Sequence, residues 1–477
     1  MTRRPIILFG FGPYARTFYY PLLERHHISG SVYISAIVDI ESKRKEVYDY
    51  LSTRTVQPST VLLLDDKEAH QKHVTTEQLD RTLLSDGQRP WGCIVATEPM
   101  HHLQYAEWAL MRGINVLLEK PPTARDLRAG SSSTALRLID DYNHLAERST
   151  STGSHVVIQT QRRAHPGYTA IRSALEDVIR KFGVPITYID IYHADGTWNM
   201  PWEFALREGH PYRYGYGKLL HSGYHFVDLL CWLSETNFHA DRPPTHLSFE
   251  SASSGPLDLT DQLTDSSYRR AFGKEEWNRF ADFDRPSTLP RQQWGETDAI
   301  ITGQFLRRSS VITSTVLSLL QTSFSRRAWL NLPTDTYKSN GRARHERLTV
   351  QVGPLMSIQA HSYQSGSDDR TENSFDVSIY RNSDLIGGQT VAQFFSFPGT
   401  PVARRTAWQP SQEGPIRRLF LKSDASRSGI ELHRNSVRAL AAILLSLAQS
   451  RGDRPSKSVM TLSDNKKPWI HGFQEMP

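Results

Sequence analysis

The chain has 477 residues, too many for one ordinary core, so length alone implies two or three domains. Its 38% hydrophobic and 22% charged residues are globular values and exclude collagen-like, disordered and coiled-coil classes. The formal net charge of +6 is scattered rather than massed in a basic tract, which argues against nucleic acid as a partner.

"MTRRPIILFGFGPYA" opens the chain with an apolar run too short for a signal peptide, and it reads as a buried first strand. Further apolar runs fall at 32–40, 60–66, 92–99, 114–122 and 155–161, alternating with helical patterns. That rhythm predicts a doubly wound parallel sheet with helices on both faces, an α/β Rossmann domain over 1–150. "PGYTAIRSALEDVIRKFG" (166–183) aligns Ile171, Leu175, Val178 and Ile179 on one helical face and closes on glycine.

After about residue 240, strand-like alternation takes over at 299–306, 310–320, 347–363, 374–380 and 416–422. These runs predict an α+β domain over 151–477 with a large open, mainly antiparallel sheet. A polar, proline-spotted stretch near 255–295 reads as an insertion or lid. Val437, Leu440, Ala441, Leu444, Leu445 and Ala448 fall at helical spacing within 434–450, too short an apolar run to span a bilayer, so no membrane is expected. Cys93 and Cys231 lie in apolar stretches without a CxxC, which points to a reducing compartment, the cytoplasm.

Gly10-Phe11-Gly12-Pro13-Tyr14-Ala15 is a G-x-G-x-x-A sequence between a predicted strand and helix. The first glycine permits a tight turn, and the second lets the backbone approach a pyrophosphate seated at a helix N-terminus. Asp39, ending the next predicted strand, is placed to accept hydrogen bonds from an adenosine ribose. The bland alternative for Asp39 is a strand-end turn residue. Its carboxylate favours NAD, whereas Lys43 and Arg44 nearby would allow NADP. "EKPP" (119–122) ends the fifth strand at the carboxyl edge of the sheet, where ligands of open α/β sheets bind, so Lys120 lies near the place of a nicotinamide.

These pieces occur in order with "VATEPMHHLQYAEWALMRGINVLLEKP", "QRRAHPGY" and "GYGKLLHSGYHFVD". Together they resemble the Gfo/Idh/MocA family of nicotinamide-dependent oxidoreductases over roughly residues 5–235. The resemblance implies that Gly10, Gly12 and Ala15 form the pyrophosphate turn. It implies that Thr97, Pro99 and His102 border the cofactor, with Glu98 interrupting the usual spacing. Glu119, Lys120 and Pro121 form the motif whose lysine reaches cofactor and substrate. Arg163 matches the arginine that opens the second domain and is expected among the cofactor-binding residues, and His225 matches the histidine that exchanges a proton. His221 stands where the family carries aspartate. Relatives associate through the C-terminal sheet, which implies a homodimer or homotetramer.

Three readings compete for His221 and His225. They are satisfied residues of an apolar helix, or two ligands of a metal with Asp228 as the third, or a proton-transfer pair. The metal reading lacks a strong third ligand, and hydride transfer needs no metal, so none is expected. Proton transfer suits histidine, whose pKa lies near neutrality. Aromatic residues just upstream, among them Trp198 and Tyr216, suit a carbohydrate-like substrate or, equally, inter-domain packing. The expected activity is an NAD(P)-dependent oxidoreductase acting on a sugar or cyclitol, with Lys120 and His225 in proton transfer and His221 either on a second substrate hydroxyl or orienting His225. The resemblance also leaves open a redox-neutral, NAD-dependent glycosidase. A non-catalytic, regulatory nucleotide-binding protein is the third reading, prompted by His221 and the long insertion.

Overall fold

The computed structural model describes residues 3–85, 87, 89–127, 132–199, 203–204, 212–273, 295–326, 342–365, 374–394, 428–450 and 457–462. The chain forms two compact units, one built from 1–125, 140–160 and 412–433, the other from 126–139, 161–411 and 434–477. The sequence reading put a single boundary near 150; the units interleave along the chain instead.

The first unit is built on six strands: β1 (Arg4–Phe9), β2 (Val32–Ile40), β3 (Thr60–Leu64), β4 (Gly92–Val95), β5 (Asn115–Leu118) and β6 (Val156–Ile158). All pair in parallel, in the order β3-β2-β1-β4-β5-β6. Both faces are covered, so the strands read as continuous apolar runs; β4 is buried throughout and Ile6 to Phe9 are fully enclosed. The connecting helices include α1 (Tyr20–Ile28), α2 (Arg44–Ser52), α3 (Lys72–Leu83) and α4 (His102–Met111), with α5 (Ser132–Thr152) before β6. Strand order reverses between β1 and β4, which opens a crevice at their carboxyl ends.

The second unit carries a nine-stranded sheet. Its strands are β7 (Tyr188–Thr197), β8 (His246–Ser254), β9 (Asp298–Arg307), β10 (Ser310–Thr322), β11 (Ala343–Val352), β12 (Met356–Ser365), β13 (Ser374–Arg381), β14 (Val391–Phe394) and β15 (Lys457–Thr461). The order is β14-β13-β12-β11-β7-β10-β9-β8-β15, with only β7 and β10 parallel. Along β11, Glu346, Leu348, Val350 and Val352 are buried while Arg347 and Gln351 are exposed, the period of a sheet with one covered face. The 347–363 run divides into β11 and β12, which turn back on each other at Gly353 with φ 44°. The helices of this unit include α6 (Pro166–Phe182), α7 (Tyr224–Ser234), α8 (Pro256–Gln262), α9 (Asp265–Phe272) and α10 (Arg434–Ser450). The expected strand at 416–422 and residues 274–294 of the expected insertion lie outside the described residues. Among the described residues no helix is long and apolar enough to cross a membrane.

Candidate functional site

The glycine turn leaves β1 at the switch point. Gly10 has φ 81°, and a Cβ there would stand 2.7 Å from the backbone of Ala96 and Thr97, so only glycine fits. Gly12 is different: a Cβ there would meet nothing within 4 Å. The carbonyl of Gly12 accepts the first helical hydrogen bond, from Arg16 N at 3.0 Å, and Pro13 takes the first helical position. A helix therefore begins at an open backbone, the arrangement that receives a phosphate. Asp39 ends β2 beside this turn and accepts hydrogen bonds from Phe11 N at 2.7 Å and Ile40 N at 2.8 Å. Burial raises its pKa, and the two amides offset this only in part. The ring of Phe11 is buried against Tyr20 and Tyr50, Tyr14 packs on Phe18 and Tyr19, and Ala15 is enclosed. A π-helical segment, Ala15–Tyr19, continues into α1.

The loop after β4 and the EKPP motif after β5 are tied together by His102. Its Nδ1 lies 2.8 Å from Pro121 O and its Nε2 3.2 Å from Thr97 O. Burial drives its pKa down to about 4 despite those carbonyls, so the ring is neutral near pH 7 and its single N–H suits the shorter contact. Thr97 Oγ1 donates to Glu98 O at 3.3 Å, and Pro99 is buried at the start of the turn that leads into α4. Glu119 accepts from the Tyr19 hydroxyl and, at 3.1 Å, from Lys120 N, so it anchors the motif to the helix that follows the glycine turn. Lys120 is partly buried and its bond to Pro121 is cis.

In the second unit, "GYGKLLHSGYH" folds as a turn at Gly215 (φ 78°), a π-helical segment Leu219–Gly223, and then α7. His221 lies in the π segment and His225 in α7, both buried. Single π turns mark functional sites often enough that two of them, each following a glycine motif, focus attention here. The glycines have a specific cause. A Cβ on Gly217 would stand 2.3 Å from Glu296, and one on Gly295 would stand 2.3 Å from Tyr216 and Gly217. The 295–296 backbone is thereby admitted against the helix start, where Glu296 O accepts from Lys218 N at 2.7 Å and Glu296 Oε1 from Leu219 N at 2.7 Å. Glu296 caps the histidine helix from 77 residues away.

Asp228 is not arranged as a third metal ligand. It receives Arg163 Nε at 2.9 Å and Nη2 at 2.7 Å in a buried bidentate pair, and Ser436 Oγ at 2.8 Å. Burial opposes the guanidinium's charge, but Asp228 overrides it and the pKa of Arg163 is raised. These two guanidinium nitrogens hold the histidine helix. Among the described residues no three His, Cys, Asp or Glu groups gather to hold a metal.

A second charged group lies on the covered face of the sheet. Lys218 Nζ, fully buried, lies 2.5 Å from Asp195 Oδ2 and 2.9 Å from His193 Nδ1. Ser222 Oγ donates to the same carboxylate at 2.7 Å, and Arg342 donates through Nη2 to the carboxylate and through Nε to Asp195 O at 2.9 Å. Arg162 pairs with Glu346 at 2.5 Å, and Tyr168 donates to it at 3.1 Å. Burial lowers the pKa of Lys218 to about 8 against the pull of Asp195. Burial also opposes ionisation of Asp195, yet Lys218 and Arg342 hold its pKa well below the usual range. Burial and then Lys218 keep His193 neutral.

Of the two aromatic candidates, Tyr216 is 1% exposed, and Trp198, partly buried, packs against Tyr268, as do Leu263 and Phe272. Arg44 is exposed and paired with Glu41, Nη2 to Oε2 at 2.9 Å. Sequence reasoning missed Glu296, Arg342 and the role of Lys218. Only the glycines of 215–217 hinted that another segment comes close there.

No family model and no curated protein sequence matches the chain. Its fold does match solved structures. The WlbA dehydrogenase from Bordetella pertussis, solved with NADH and UDP-GlcNAcA, is similar with a TM-score of 0.55 at 12% identity, covering 97% of this chain and 100% of that one. The WlbA enzyme from Chromobacterium violaceum, with the same two ligands, gives 0.53 at 13%, covering 97% of each chain. GenD2 from gentamicin A biosynthesis, solved with NAD, gives 0.52 at 14%, again covering 97% of each. The chain shares the fold of these structures. At such identities the likeness carries the fold, and the chemistry has to come from the side chains.

Proposed function

We propose that the protein is an NAD-dependent oxidoreductase moving hydride between the nicotinamide and a secondary alcohol or ketone of a carbohydrate-like small molecule. The observation that carries this reading is the glycine turn at the switch point, with open space at Gly12 and the Asp39 carboxylate beside it. The backbone of Gly10 to Ala15 would hold the pyrophosphate, and Asp39 the adenosine ribose. Basic groups near Asp39 are already paired, Arg44 with Glu41 and both Lys43 and Arg16 with Glu46. A 2′-phosphate would thus face three carboxylates, which favours NAD over NADP. Structures of the same fold solved with NAD, NADH or a nucleotide sugar support the cofactor and the substrate class.

When bound, the nicotinamide supplies the hydride donor or acceptor. Lys120 polarises the substrate oxygen, and His225 exchanges its proton. His221, in place of a carboxylate, hydrogen-bonds a second hydroxyl or orients His225 without adding negative charge. Thr97, Glu98 and Pro99, fixed by His102, border the cofactor. The reading includes a cytoplasmic location and assembly as a homodimer or homotetramer through the nine-stranded sheet.

The test is turnover and NADH binding, measured separately, for Lys120→Ala and His225→Ala across a sugar and cyclitol panel. Each substitution is expected to lower kcat by about 100-fold or more while NADH affinity stays within about threefold of wild type. Wild-type rates in both variants, or tighter binding of NADPH than of NADH, would contradict it.

A further inference from the structure

We propose that the covered face of the nine-stranded sheet holds a recognition site for an anionic group of the substrate, carboxylate or phosphate, with Arg344 as its principal contact. This rests on the oxidoreductase reading and narrows its substrate to an acidic or phosphorylated sugar.

Strand periodicity puts Arg344 on the same face of β11 as Glu346, and Glu346 sits opposite His193 of β7. Four cations meet in this cluster: Arg162, Lys218, Arg342 and Arg344. The first three each touch a carboxylate, Glu346 for Arg162 and Asp195 for the other two. Both carboxylates are also occupied by hydroxyls, Tyr168 on Glu346 and Ser222 on Asp195. The nearby Asp298 is turned to the amides of Gln321 and Thr322 and to the Thr322 hydroxyl. Glu296 caps the helix start.

Arg344 forms no such pair among the described residues. Its buried Nε has no hydrogen-bond partner among the described residues. Burial and then the neighbouring Arg342 lower its pKa to about 10, although Asp195 and Glu346 pull the other way. A guanidinium placed beside two others without an acid of its own is costly, and the stability of the unit gains nothing from it. The arrangement is favourable once an anion arrives, because the planar fork receives a carboxylate or phosphate through two parallel N–H bonds.

Two further features point to a substrate subsite. Lys218 and His193 are fully buried, whereas Arg342 and Arg344 keep a partly exposed edge. The cluster is also built on the helix turn that carries the two histidines. Lys218 and Ser222 flank His221 in sequence, and Phe226, next to His225, lies with its ring 4.1 Å from that of His193.

The test uses the NADH-loaded protein and isothermal titration with glucuronate, glucose 1-phosphate, glucose and inorganic phosphate, for wild type, Arg344→Gln and Arg344→Lys. Wild type is expected to prefer an acidic sugar over glucose, and the better of the two acids tells carboxylate from phosphate. In Arg344→Gln that preference should fall by about 10- to 100-fold, with partial recovery in Arg344→Lys. The thermal midpoint of Arg344→Gln should not drop, since the substitution removes an uncompensated buried cation. A preference unchanged by Arg344→Gln, a lowered midpoint, no binding of either acid by wild type, or inorganic phosphate binding as well as glucose 1-phosphate would each overturn the inference. Failure to bind NADH would instead sink the oxidoreductase reading, and NADH binding with a preference for glucose would sink this inference alone.

Discussion

The turn after β1 and the helix start at Gly215 are both glycine motifs leading into π-helical segments, yet they are built in opposite ways. The first is six consecutive residues whose working surface is the backbone, supported by one side chain, Asp39, from the neighbouring strand. The second is assembled from distant segments: Glu296 caps it, Asp195, itself held by Arg342, pairs with Lys218, and Arg163 clamps Asp228. Recognition by backbone is written locally, because only glycine permits the required φ and close approach. Recognition by buried charge is written in the topology, because each ion needs a partner that only folding delivers.

Substitutions can set these two designs against each other. The largest effect is expected at Arg163→Met, which strands Asp228 fully buried without its cation and should lower stability by about 3–5 kcal/mol in urea unfolding. A loss below about 1 kcal/mol would show that the pair does not hold the helix. His102 comes next. Its folded pKa of about 4 lies below the unfolded value near 6.5, so unfolding binds a proton throughout that window. Stability should therefore fall by ~3 kcal/mol as pH drops from 6.5 towards 4, and His102→Gln should flatten that slope. His165, buried in the second unit with a pKa lowered to about 3, has the same sign, so part of the slope should survive the substitution.

Gly10→Ala forces a side chain into the left-handed region and against the Ala96 backbone, a cost of about 2 kcal/mol. Gly12→Ala, two residues on, meets open space and should change stability by less than about 0.5 kcal/mol. Equal losses at the two glycines would erase the distinction between a glycine needed by the fold and one left for a ligand.

Much of the first unit was legible in the sequence. Strands buried on both faces betray themselves as continuous apolar runs, and Asp39 stood at the end of the second. The half-polar strands of the second unit showed alternation, but 347–363 read as one run because Gly353 alone marks the hairpin. His221 and His225 were visible; what surrounds them was not. The motif around Arg163 gives no sign of Asp228, 65 residues away. Lys218 gains its meaning only from the fold, where β7 brings Asp195 and His193 to it. Trp198 and Tyr216 fit a sugar platform on composition; composition does not show that Trp198 packs on Tyr268 or that Tyr216 is enclosed.

The most direct measurement is an NADH fluorescence titration of wild type and Gly12→Val, alongside their urea unfolding curves. Saturable binding by wild type, lost in the variant with an unchanged unfolding midpoint, is the predicted result. Absence of binding by wild type, or equal binding by both, would contradict the assignment of the glycine turn as a dinucleotide site.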